Sequence, residues 1–203
     1  MQKQFFMPII GRQIPHFDRV DLSSISAVFS DDKFYRYVLT MNYLPDLMQQ
    51  ERSESLAVIL KNPSSADEKA SDATIRKVET FVFHRFPKVK TLIILNLFAI
   101  RATFAKEVQQ NLKQFNAEHI TGIENQDWFK KILNNSNHVI CAWGGPSGID
   151  KNVYAERIAQ VKEIIEKDDF TAKVWQVCGK LKTAEPLHGL MWGYDYELLQ
   201  ISK

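Results

Sequence analysis

The chain has 203 residues, 45% of them hydrophobic and 25% charged, and a formal net charge of +2. This is the make-up of an ordinary soluble globular protein long enough for a substantial core. The charge is too mild to argue for nucleic acid by itself, although a local basic patch stays compatible with phosphate binding.

In chain order, Met1 to Leu22 carries two prolines and a weak pattern and is expected to wrap the domain. Its apolar stretch is too short for a signal peptide and shows no clear cleavage site. Ala27–Phe29, the polar Ser30–Lys33 and then Phe34–Leu39 read as a hairpin. Tyr43 to Glu51 reads as a loop with a helical turn. Residues 1–50 are thus an N-terminal extension on a core of 51–203, the whole forming one domain.

The first core strand is Leu56–Leu60, five apolar residues without alternation, which suits a strand buried on both faces. Asn62-Pro63 forces a turn after it, and Ser71-Asp72 caps a helix from about Ala73 to Phe86, with Ile75, Val78, Val82 and Phe86 inward. Thr91–Leu95 is the second buried strand. Helical stretches follow at Lys106–Glu118 and Asn125–Asn134. His138–Ala142 is the third strand, and Asp150 caps a helix to about Glu166. Lys173–Val177 is the fourth strand, and Tyr194–Ile201 reads as a short final helix.

Strand and helix alternate from Leu56 onward, which predicts βαβ units with right-handed crossovers. The expected fold is α/β: a three-layer sandwich around a four-stranded, mainly parallel sheet, plus the N-terminal hairpin. All four loops after these strands open on one sheet edge, where α/β proteins place ligands. That brings Asn62, Ser64, Asp67, Asp72, Asn96, Arg101, Thr103, Trp143 and His188 within reach of one cleft.

Each of these residues also has a structural reading. Asn62 serves the Asn-Pro turn, and Asn96 satisfies backbone groups at a strand end. Asp67 and Asp72 start turns and helices, which disfavours a paired-carboxylate hydrolase. Arg101 makes an ion pair or clamps an anion, Trp143 is core or a base platform, and His188 is a site residue or an idle surface histidine. Gly144-Gly145-Pro146-Ser147-Gly148 lacks the lysine of a phosphate-binding loop, and no serine sits in a nucleophile elbow. The five histidines show no metal-ligand spacing, so no metal or cofactor is expected. Cys141 and Cys178 lie in apolar runs and read as reduced core thiols. No apolar run reaches the ~20 residues of a membrane span. The cytoplasm is the expected location, and the oligomeric state is left open.

The motifs K-N-P-S-S-A-D, S-D-A-T-I-R, N-L-F-A-I-R-A-T, C-A-W-G and V-C-G-K-L-K-T-A-E-P-L-H-G-L resemble the bacterial domain-of-unknown-function family 1643. The resemblance runs from Phe29 to about Trp192. It departs at Lys61, where the family commonly has Leu, and at Gly189, where it commonly has Pro. A second likeness is to uracil-DNA glycosylase-like enzymes. Their strands end in an Asp-Pro or Asn-Pro turn, in L-L-N and in W-G, matched by Asn62-Pro63, Leu95-Asn96 and Trp143-Gly144, with a late histidine loop matched by His188. That resemblance implies that Asn62 orients a water toward the anomeric carbon and His188 stabilises charge on the departing base. It also implies that Asn96 reads a base edge and an aromatic stacks on the extruded base. Two classes follow. The first is a nucleobase- or nucleotide-binding protein, as an N-glycosidic hydrolase acting on nucleic acid or nucleoside. The second is a non-catalytic module holding a nucleotide or a protein partner in the same cleft.

Overall fold

A computed structural model describes residues 12–45, 51–179 and 185–201. The expectations for Met1–Gly11, for a helical turn within 46–50 and for loop residues 180–184 fall outside them.

Seven strands form one mixed sheet: β1 (Val20–Phe29), β2 (Arg36–Tyr43), β3 (Glu54–Leu60), β4 (Val89–Asn96), β5 (His138–Cys141), β6 (Lys173–Cys178) and β7 (Glu197–Gln200). Their order is β1-β2-β4-β3-β5-β6-β7. The four apolar runs read from the sequence are its centre, β4-β3-β5-β6, and all their pairings are parallel. The sheet nevertheless has seven strands rather than four. The hairpin β1–β2 does not stand apart; β2 runs on to Tyr43 and adds antiparallel to β4. At the other edge the expected last helix is instead β7, antiparallel to β6. The helix-forming residues there, Glu197, Leu198 and Leu199, are too few for a stable helix in isolation. The open edge of β6 offers them a ladder, and Leu198 packs on the core.

Helices cover both faces. Helix α1 (Ala73–Arg85) lies on one side, where Leu56, Val58 and Leu60 of β3 meet Ile75, Val78, Phe81 and Val82. The other side, facing Ala57 and Ile59, is covered by α2 (Ala105–Gln114), α3 (Ala117–Thr121), α4 (Asn125–Leu133) and α5 (Lys151–Ile165). Asp72 caps α1 by accepting from the Thr74 and Ile75 amides, and Asp150 caps α5 likewise. At the far end of α1, buried Arg52 donates to the carbonyls of Phe83, Phe86 and Val89 and lies 4.3 Å over the Phe83 ring. It therefore satisfies carbonyls that helix ends leave open.

The segment ahead of β1 crosses α1 as a strap. Ile14 pairs with Ser71. His16 Nδ1 lies 2.5 Å from Glu79 Oε1, and the Phe17 amide donates to Glu79 Oε2 at 2.8 Å. Arg76 donates to the carbonyls of Pro15 and His16. Glu79 is fully buried in the inner face of α1, so this pairing is what makes a carboxylate tolerable there. Both cysteines are free; Cys141 is buried and Cys178 half-buried. Among the described residues, no helix is long and apolar enough to cross a membrane, and no cluster of His, Cys, Asp or Glu is arranged to hold a metal ion.

Candidate functional site

The cleft lies at the carboxyl edge, and its walls begin where β3 and β4 stop pairing. After Leu60 the two chains stay laced together. The Leu97 amide donates to the Leu60 carbonyl at 2.9 Å, Phe98 to Lys61 at 3.0 Å and Ala102 to Pro63 at 2.8 Å. Asn62 completes the lacing, its Nδ2 donating to the Ala102 carbonyl at 2.6 Å. The turn role of Asn62 is thus real, yet it uses only half of the amide. Oδ1 has no partner among the described residues and remains an acceptor.

A cleft of about 240 Å³ opens beside this loop, lined by Asn62, Ser64, Ser65 and Thr103. The start of α1, Asp72 to Ile75, closes one side, Arg36 and Arg12 another, and His188 a third. His188 is brought in by two close approaches. Gly144 has φ +66°, and an added Cβ would stand 2.9 Å from His188 Cβ. Gly189 fits against Val78 and Leu60, where a Cβ would meet both at about 3 Å. Hydrogen bonds from the Gly144 amide to the Pro186 carbonyl and from the Gly189 amide to the Ala142 carbonyl hold the chain there.

The charge state of the cleft follows from this packing. His188 Nδ1 accepts from the Leu190 amide at 3.3 Å, so in the neutral ring the proton sits on Nε2. Burial, helped by the nearby Lys61 ammonium and opposed by Asp72, pushes its pKa down to about 4. At neutral pH it is an uncharged donor. Lys61 is itself buried, which lowers its pKa, and it donates to Ser147 Oγ at 2.8 Å rather than to a carboxylate. Arg36 is 1% exposed and held down to about 10 by burial, so it stays charged. One of its nitrogens donates to the Ala66 carbonyl, while its Nε has no partner among the described residues.

Of the residues expected to share a cleft, Asn62, Ser64, Asp72, Thr103 and His188 line this one. The others do not. Asp67 accepts from the amides of Lys69 and Ala70 and forms a local turn. Arg101 reaches away to the Lys33 carbonyl and lies over the Phe29 ring, tying its loop to the hairpin. Asn96 is buried at the end of β4, and neither atom of its amide has a partner among the described residues. Trp143 sits in the core on the α5 side, donating to Glu185, and lines a different cavity of about 340 Å³. Its side chain lies across the sheet from Leu60.

Arg36, Ser65, Thr74 and Arg12 were not among the residues singled out. Arg36 had one visible signal, a charge in the middle of the apolar run Phe34 to Leu39. It reaches the cleft only because β2 adds to β4, a pairing that strand periodicity does not reveal.

Residues 36–190 match the model of a family described as a protein of unknown function, DUF1643. No curated protein and no solved structure matches the chain.

Proposed function

We propose a function for a chain that belongs to the DUF1643 family, and because that family's description assigns no activity, the proposal rests on the cleft. The cleft binds a nucleobase-bearing ligand and hydrolyses its N-glycosidic bond. What carries this reading is the convergence of Asn62 and His188, from loops after two different strands, on one cleft of about 240 Å³. That volume lies below the ~300–1,000 Å³ of sites for drug-sized ligands, so it takes a single nucleotide unit, extruded if it comes from a duplex. The order of motifs along the chain, which resembles that of uracil-DNA glycosylase-like enzymes, supports the same reading.

In the proposed reaction a water held by Asn62 Oδ1 attacks the anomeric carbon as the C–N bond breaks. The bonding pair leaves with the base, and the water's proton ends on it. The Nε2–H of neutral His188 donates to the base as negative charge builds, a role that requires no change in its protonation. Hydroxyls of Ser64 and Thr74 contact the ligand in place of Asn96, which does not line the cleft.

A second reading has its own observation. Asn62 is tied through Nδ2 to the Ala102 carbonyl, as a purely structural residue would be. That favours a module that binds without turnover.

The deciding measurement is release of free base from uracil-containing or damaged single- and double-stranded DNA and from nucleosides, run beside direct binding. Asn62→Ala and His188→Ala should each slow release by on the order of a hundredfold. Binding with no release selects the module, and neither binding nor release rejects the nucleobase reading.

A further inference from the structure

The cleft holds more positive charge than its own carboxylate is free to answer. Arg36 is almost wholly buried, yet no carboxylate lies within 4 Å of it among the described residues. A buried cation with no ion-pair partner is costly, and among the described residues Arg36 is answered only by the Ala66 carbonyl and, at longer range, by the charges of Asp72, Asp67 and Glu68. Asp72 is the acid of the cleft, but one of its oxygens is taken up by the Thr74 and Ile75 amides. Those same bonds occupy the second and third amides of α1, so the inference does not rest on the helix end.

A second, independent feature points the same way. Ser65 is 2% exposed and lines the cleft, and its buried Oγ has no hydrogen-bond partner among the described residues. Buried hydroxyls are paired in folded proteins unless a ligand or water completes them. Arg12 lines the same cleft from the surface, and His188 stays neutral beside it. The set of guanidinium groups and hydroxyls, with an uncharged imidazole, is the donor chemistry that phosphoryl oxygens take.

We infer that the cleft carries a phosphoryl subsite built on Arg36, Ser65 and Arg12, and that the ligand is therefore a nucleotide rather than a free base or nucleoside. This rests on the nucleobase reading above for the base, while the phosphoryl part stands on Arg36 and Ser65.

Isothermal titration of the full chain with uridine, uridine 5′-monophosphate, ribose 5-phosphate and inorganic phosphate separates the parts. The monophosphate should bind about ten- to a hundredfold more tightly than uridine, the worth of a charge-assisted contact. Arg36→Met should remove that advantage. Because a buried residue is at stake, Ser65→Ala and Arg12→Ala provide the check that does not depend on Arg36 folding. Each should weaken the monophosphate several-fold and leave uridine unchanged. Equal binding of uridine and its monophosphate, or monophosphate binding unmoved by both milder variants, overturns the subsite and leaves the nucleobase reading intact. Ribose 5-phosphate or inorganic phosphate binding as tightly as the nucleotide keeps the subsite and overturns the nucleobase reading. No binding of any of the four overturns both.

Discussion

Gly144 offers the sharpest test of how the histidine is delivered to the cleft. Its φ of +66° is a conformation that side chains other than glycine disfavour, at about 1–2 kcal/mol per residue. Its missing Cβ is also what lets His188 approach, since a methyl there would stand 2.9 Å from His188 Cβ and 3.5 Å from its Cα. Overpacking of that kind costs about 1–3 kcal/mol. Gly144→Ala should therefore destabilise the protein by about 2–5 kcal/mol in urea unfolding. Gly145, its neighbour, has nothing within 4 Å of a built Cβ and no positive φ, so Gly145→Ala should stay within about 0.5 kcal/mol of the parent. The same variant must also move the imidazole. With His188 displaced outward its burial is relieved, and its pKa, followed by NMR titration, should climb from about 4 toward the ordinary 6.5. If Gly144→Ala matches Gly145→Ala in stability and His188 titrates unchanged, the close approach is not what holds the site together.

Three further outcomes follow from the same structure. Lys61→Gln should raise the His188 pKa above about 4, because the ammonium is one of the two causes depressing it; NMR showing no rise would separate the two groups. In the strap, desolvation works against the His16 imidazolium, but Glu79 and the Asp67 carbonyl more than offset it and leave its pKa raised. The stabilisation it confers is then fully present below about 6.5 and is lost as pH rises through the raised value. Urea melts across that window should show this loss in the parent and not in His16→Gln, and Glu79→Gln should cost about 3–5 kcal/mol at about pH 6. Parallel pH curves for parent and His16→Gln would remove the pair from the account. Finally, burial pushes the Cys141 thiol up to about 12. Mass spectrometry after thiol labelling of native protein should find Cys178 modified well before Cys141.

The parallel centre was legible because β3, β4 and β5 are buried on both faces over most of their length and so read as apolar runs, Leu56–Leu60 being the clearest. The helix caps Asp72 and Asp150 were legible because capping chemistry is local. The edges were not. Whether Phe34–Leu39 stands as a lone hairpin or joins β4 depends on which edge is open, and Glu197–Gln200 becomes a strand only because β6 has one. The site divided along the same line. Asn62, Ser64, Thr103 and His188 lie in the loops that follow parallel strands, so topology was enough to group them. Trp143 also follows a strand end, but its side chain lies on the α5 face, and alternation over a four-residue strand is too short to settle that. Arg36 was hidden for the opposite reason, since it enters from the strand outside the βαβ pattern.

The hydrogen bonds that continue from β3 and β4 into the loops beyond them have a kinetic meaning. A binding loop that is mobile beforehand must be ordered by what it binds, and that ordering is charged against affinity. Here Leu97, Phe98 and Ala102 donate to the opposite chain as strand residues do, so the wall is cast before any ligand arrives. Their amides should exchange with solvent as slowly as those inside β4. On the proposed function, capture would wait on encounter and fit rather than on closure of these two loops. A mould of this kind would discriminate by refusal: a ligand slightly too large would be turned away, because the wall it meets cannot move without breaking these bonds.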